Sequence, residues 1–183
     1  QGLERLAADP HAQDDPALLL LLHPVHRGRA VVNLVGMGPD ERVAAILPIR
    51  EFVEDGYLLT CTRRGRVKRT NLSAYENIRQ TGIIGVAIGE GDNLLTARIV
   101  TPGQNVLIGT SHGMSIRFPI EDVRAMGRDS MGVKGIDLRE GDLVIGMDVI
   151  EDEEEQQVLT VSANGYGKRT KVAEWRAQNR GGK

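Results

Sequence analysis

The sequence predicts an all-β, propeller-like fold, a partial array of about three four-stranded blades. Three observations predict it. One stretch is written three times: Gly65-Arg-Val-Lys-Arg-Thr-Asn-Leu-Ser-Ala-Tyr75, Gly113-Met-Ser-Ile-Arg-Phe-Pro-Ile-Glu-Asp-Val123 and Gly165-Tyr-Gly-Lys-Arg-Thr-Lys-Val-Ala-Glu-Trp175. In each copy a Gly closes a turn and an Arg follows four residues on (Arg69, Arg117, Arg169). Each copy ends in two apolar residues three apart: Leu72 and Tyr75, Ile120 and Val123, Val172 and Trp175. The glycines also keep register, for Gly82, Gly132 and Gly182 lie 50 residues apart, as do the Gly-Asp turns at Gly91 and Gly141. Between these marks lie short apolar runs bounded by turn residues, four to a unit, which is the pattern of a blade. A blade cannot bury both faces alone, so neighbouring units must stack.

Taken in order, residues 1–26 match nothing later in the chain and form a divergent segment. Gly2 to Ala8 reads as a short helix broken at Pro10 and Pro16, and Leu18 to Leu22 as a buried strand or a helix end. His23 and His26 are two loop residues, since Pro24 opposes the helix that would align them on a metal. Residues 27–53 are the back half of a blade, with strands at Ala30 to Leu34 and Val43 to Ile49 around a turn at Gly36 to Asp40. The blade at 54–100 has strands Tyr57 to Thr62, Arg66 to Thr70, Ile83 to Ile88 and Leu94 to Val100. The blade at 101–150 has Asn105 to Thr110, Met114 to Phe118, Val133 to Leu138 and Leu143 to Val149. In the last of these Leu143, Ile145, Met147 and Val149, two apart, should share one core face. Residues 151–183 are a partial blade. From the last anchor to the register Gly is seven residues after Tyr75 and Trp175 but nine after Val123, a two-residue insertion. The chain begins with Gln1 and stops in Gly181-Gly182-Lys183, which reads as a piece of something longer.

Composition narrows the function. With 183 residues and a net charge of -2, bulk charge predicts no polyanion partner, so only local clustering can. One cysteine, Cys61, gives no disulfide framework and fits a reducing cytoplasm; it reads as an inert core thiol. The longest apolar run, Ala17 to Leu22, is too short to span a bilayer, so no membrane partner is expected. Asn164-Gly-Tyr-Gly-Lys-Arg-Thr170 resembles a phosphate-binding loop only outwardly, because Arg169 stands where Ser or Thr must hold the metal. Glu90, Asp92, Glu140 and Asp142 recur with the units, as turn formers do. No catalytic constellation and no metal site emerge.

Basic residues do cluster. Arg63, Arg64, Arg66 and Lys68 crowd the first hairpin, Arg117, Arg128 and Lys134 fall in the second unit, and Lys168, Arg169, Arg180 and Lys183 in the third. Equivalent hairpins of stacked blades emerge along one rim, and that rim would be positive. Charged hairpins are ordinarily solvated turns. The Arg recurring at one register in all three copies shifts the balance towards phosphate contacts without base readout. Arg69 is left aside because strand alternation turns it away from Arg66 and Lys68.

These residues carry a resemblance. Ala30 to Leu34, Ala45 to Phe52, Thr62-Arg-Arg-Gly-Arg-Val-Lys-Arg-Thr70, Gly82-Ile-Ile-Gly85, Arg117-Phe118 with Asp122 to Arg124 and Met126 to Arg128, and Asn164 to Thr170 together resemble the C-terminal domain of the DNA gyrase A protein. The topoisomerase IV A protein is a close relative. The resemblance spans about Arg27 to Lys183. It implies a β-pinwheel whose blades exchange strands and whose positive perimeter wraps duplex DNA for negative supercoiling. It implies as partners the rest of gyrase A and the gyrase B protein in an A2B2 holoenzyme of the bacterial cytoplasm. ATP and Mg2+ would belong to that holoenzyme and no cofactor to this chain, which lacks the DNA-cleaving region. Tyr57, Tyr75 and Tyr166 sit at repeat positions and are not nucleophile candidates. Gln178-Asn-Arg180-Gly181-Gly182-Lys183 resembles the family's Gln-Arg-Arg-Gly-Gly-Lys-Gly wrapping box in degenerate form, with Asn179 replacing an Arg. A topoisomerase IV-type domain and a protein-binding propeller scaffold are the alternatives.

Overall fold

The computed structural model describes residues 17–22 (as backbone), 42–49, 51–77, 82–151 and 153–182. The helix read at Gly2 to Ala8, His23, His26, the strand at Ala30 to Leu34 and Lys183 lie outside the described residues. The described residues form strands and short 3-10 turns, and no helix among them is long and apolar enough to cross a membrane. The fold class is as the sequence reads.

Strand β1 (Ala17–Leu22) pairs in parallel with β2 (Arg42–Pro48), which settles the Leu18 to Leu22 run as strand. In the first repeat β3 (Tyr57–Thr62) and β4 (Arg66–Asn71) form a hairpin, and β5 (Leu94–Val100) pairs on the far side of β3. In the second, β6 (Asn105–Thr110) and β7 (Ser115–Pro119) form the hairpin. After it come β8 (Val133–Lys134) and β9 (Val144–Ile150), of which β9 pairs with β6. The third repeat gives the hairpin of β10 (Gln157–Val161) and β11 (Gly167–Lys171). One local cause makes all three hairpins: Gly65, Gly113 and Gly165 take left-handed φ of 76°, 78° and 82°, and each N–H closes the turn on the residue three before. A 3-10 turn follows each hairpin at Leu72–Tyr75, Ile120–Asp122 and Val172–Glu174, burying Leu72, Tyr75, Ile120 and Val172.

The sheets depart from the strand reading at two elements, while the exchange of a strand between repeats is the one that the resemblance implies. The strand expected at Ile83 to Ile88 does not form, and the one expected at Val133 to Leu138 shrinks to β8. Strand β8 does not join its own repeat. It pairs antiparallel with β4 of the first, giving the order β5-β3-β4-β8 beside a second sheet β7-β6-β9. Just beyond Lys134 the pairing is carried one step further by Gly135 N–H, which donates to its in-register partner Gly65 O at 2.7 Å. A Cβ at Gly135 would lie 2.7 Å from Val67 Cγ1, so the crossing needs a residue without a side chain.

The main core lies between successive sheets: Leu59, Cys61 and Val67 of the first pack with Val106, Ile108, Ile116 and Phe118 of the second. In β9 the buried residues are Val144, Met147 and Ile150, whereas Leu143 is 39% and Ile145 63% exposed. The alternation expected for Leu143, Ile145, Met147 and Val149 is therefore corrected. A β-bulge explains it: Gly109 pairs with Gly146 and Thr110 with Val144, so Ile145 is skipped and Val144 swings onto the face of Met147. The same skip at Leu95 in β5 puts Leu94 with Ala97.

Candidate nucleic-acid interface

The first two hairpin turns are each braced by the Gly-Asp turn that follows in the same repeat. Asp92 Oδ1 accepts Arg64 N–H at 2.9 Å, and Asp142 Oδ1 accepts Ser111 Oγ–H at 2.8 Å and His112 N–H at 2.9 Å. These carboxylates are turn formers, and they are spent on the turns. Burial pushes the Asp142 carboxyl up, but hydrogen bonds from Thr110, His112, Ser111 and Leu143 outweigh it and hold the group at about 2. A folded-state value below the unfolded one stabilises above the unfolded value, here 3.8, and that contribution is lost as pH falls from there towards 2. Chemical unfolding of wild type and Asp142→Asn should therefore differ most above pH 4 and converge near pH 2; a constant difference would refute the account.

The structure sorts the expected contacts. Arg64, Arg66, Lys134, Lys168 and Arg169 are exposed; Arg63 and Arg128 are half-buried. Arg66 Nη1 donates to Gly132 O at 3.1 Å and Lys134 Nζ to Asp137 Oδ1 at 2.8 Å. Across the exchanged strand Arg66 and Lys134 stand directly opposite each other. Arg124, outside the expected set, is exposed in the loop that carries Arg128.

Two expected contacts are corrected. Lys68 is 1% exposed, because both faces of β4 are covered and alternation no longer sorts inside from outside. Its Nζ donates to Gly85 O at 2.7 Å, Gly127 O at 3.3 Å and Arg128 O. Burial draws its ammonium down to about 8, opposed by the nearby Asp129 carboxylate and helped by Arg128. Arg117 is 6% exposed, with Nη1 2.9 Å from Glu153 Oε2, close enough for an ion pair but not aligned as a hydrogen bond. Two of the three recurring arginines, Arg69 and Arg117, lie at joints between repeats through their backbone carbonyls, while Arg169 is exposed. Arg69 O accepts Met126 N–H and Arg117 O accepts Gln178 N–H, both at 2.8 Å, each within a parallel bridge to the next repeat. The Arg69 guanidinium lies 4.6 Å over the Tyr57 ring.

The box-like segment docks rather than projects. Arg180 is half-buried, with Nε donating to Asp122 O at 2.9 Å and Nη1 to Lys134 O, so its guanidinium is spent on carbonyls. Gly181, not Gly182, takes the left-handed φ of 74° that Gly82 and Gly132 take. Its N–H reaches Gly135 O at 3.0 Å, and Gly182 N–H closes on Asn179 O. Cys61 is buried, and burial pushes its thiol up to about 12, an unreactive state. Among the described residues no group of three or more His, Cys, Asp or Glu is placed to hold a metal.

The model of the family described as the DNA gyrase C-terminal domain, beta-propeller, matches residues 56–101, 104–151 and 156–183. The chain belongs to this gyrase C-terminal domain family. The DNA gyrase A protein of Staphylococcus epidermidis is 42% identical over 158 residues, covering 86% of this chain and 18% of the relative. The chain thus spans about a fifth of the curated relative's length. The solved C-terminal domain of DNA topoisomerase IV superposes with a TM-score of 0.78 at 26% identity, over 84% of this chain and 48% of that one. The solved DNA gyrase A C-terminal domain gives 0.75 at 28%, over 85% and 51%. The gyrase C-terminal domain, with its exchanged strand, is what the repeat stretch encodes.

Proposed function

We propose that this gyrase A-type domain binds duplex DNA without sequence preference and wraps it. In a cytoplasmic A2B2 holoenzyme it would present the wrapped segment for ATP-dependent negative supercoiling. The observation that carries this reading is the Arg66–Lys134 pair. Like charges directly opposite across an antiparallel pair cost stability, and an anionic backbone laid across both removes that cost. Arg63, Arg64, Arg66, Arg128, Lys134, Lys168 and Arg169 are the proposed contacts. Asp92 and Asp142, the acids at the first two hairpin turns, are occupied by turn N–H groups, and Lys134, 2.8 Å from Asp137, would exchange that exposed ion pair for a phosphate. Blades at 54–100 and 101–150, flanked by partial ones, are the proposed units.

The test is binding to a duplex of about 40 base pairs across a salt series. Five to seven phosphate contacts should give log K falling against log salt with a slope of about -4.5 to -6, alike for unrelated sequences. A folded sample that fails to bind at low salt would overturn the reading and leave a protein-binding scaffold. The superposition on the topoisomerase IV domain favours that type as second reading. Linking-number change in relaxed plasmid separates the two, since weak binding with little wrapping marks the topoisomerase IV type.

A further inference from the structure

Lys68 lies in the middle of a strand, 1% exposed, and its ammonium has three carbonyl acceptors for its three protons. One acceptor, Gly85 O, belongs to the first repeat and also receives Tyr75 Oη–H at 2.9 Å. The other two, Gly127 O and Arg128 O, belong to the loop after the 3-10 turn of the second repeat. That loop carries the two-residue insertion, nine residues from Val123 to Gly132.

The chain supplies its own comparison. The position of Lys68 is occupied in the second hairpin by Ile116, 2% exposed. The loop that docks against that hairpin, after Trp175, has the shorter spacing of seven. A buried lysine is found against the long loop and an apolar residue against the short one. A longer loop has more conformers to lose, and an ammonium that ties two consecutive carbonyls restricts the backbone while leaving the side chains outside. Those side chains include exposed Arg124 and half-buried Arg128.

We infer that Lys68 is a positioning residue, whose buried ammonium latches the loop at 124–130 so that Arg124 and Arg128 meet the phosphates of bound duplex. The inference rests on the DNA-binding reading above. Lys68 itself touches no DNA. It lowers the ordering cost that the loop would otherwise meet on binding.

The test uses the full chain and the same duplex, with Lys68→Met, the double variant Arg124→Ala/Arg128→Ala, and all three together. Lys68→Met should weaken binding about five- to tenfold and make the salt slope shallower by about 1 to 2, the share of the loop contacts. Hydrogen exchange at amides 126–130 should quicken at least about tenfold. In the Arg124→Ala/Arg128→Ala background Lys68→Met should cost no further affinity, a non-additivity that a merely structural role would not produce. Unchanged affinity in Lys68→Met overturns the inference, as does an equal loss in both backgrounds or a double variant that binds like wild type. If Lys68→Met does not fold, Lys68→Gln, which keeps two N–H donors, takes its place with the same criteria. Absence of salt-dependent binding in the wild type is a different result, and it overturns the DNA reading first.

Discussion

Gly132→Ala is expected to destabilise the chain by more than about 3 kcal/mol, and Gly113→Ala by only about 1 kcal/mol. The two glycines share the same left-handed backbone, φ 79° and 78°, so the strain of a non-Gly residue there is common to both. Their surroundings differ. Around Gly113 a Cβ would meet nothing within 4 Å. At Gly132 it would fall against the Val67 carbonyl oxygen and 2.9 Å from Lys68 Cβ, and neither is the far end of a flexible side chain. Gly132 immediately precedes β8, the strand lent to the first repeat, so relief means withdrawing that strand from β4. Urea unfolding of both variants with fitted m-values measures the difference. Equal costs would mean that β8 yields easily and that the exchange contributes little to stability.

What the sequence made legible, and what it hid, follows from the range of each interaction. The hairpins β3–β4, β6–β7 and β10–β11 are local: a turn glycine and a few β-formers specify each, and the first two appear within a residue of expectation. The exchanged strand is not local. Val133 and Lys134 find their partners 66 to 68 residues earlier, and two residues of β-pattern do not say which edge they will cover. The bulges at Leu95 and Ile145 were hidden because a skipped residue is defined by its partner strand, not by its own run. Charge was the most misleading signal. Lys68 sits between Val67 and Arg69 in what reads as a solvated basic hairpin, yet its position in the second copy is Ile116. Arg117 stands between Ile116 and Phe118, both fully buried, and that neighbourhood was readable as a covered strand. Of the recurring arginines, Arg69 and Arg117 lie at the joints between repeats while Arg169 is exposed, and the exposed cations Arg64 and Lys134 do not recur at all.

The separation between the buried joint residue Arg117 and the exposed hairpin cations fixes the second large effect. Arg64→Glu/Arg66→Glu is expected to lower duplex affinity on the order of 10- to 100-fold at low salt and to reduce the salt slope by about 2. Stability should not fall with it. A glutamate at position 66 faces Lys134 across the β4–β8 pair and turns a like-charge pair into an opposite one, a local gain of about 0.2 to 1 kcal/mol. The midpoint of thermal unfolding should therefore hold or rise slightly while DNA binding collapses. Arg117→Met is the counterpart. It removes the buried guanidinium whose Nε has no hydrogen-bond partner, fills much of the same space, and should leave the salt slope as it was. Binding and melting measured on the two variants discriminate sharply. If Arg117→Met weakens binding as much as the double reversal does, the recurring arginines are contacts after all. If the double reversal unfolds the chain instead, the first hairpin is held together by those charges and the rim must be sought at Lys168 and Arg169.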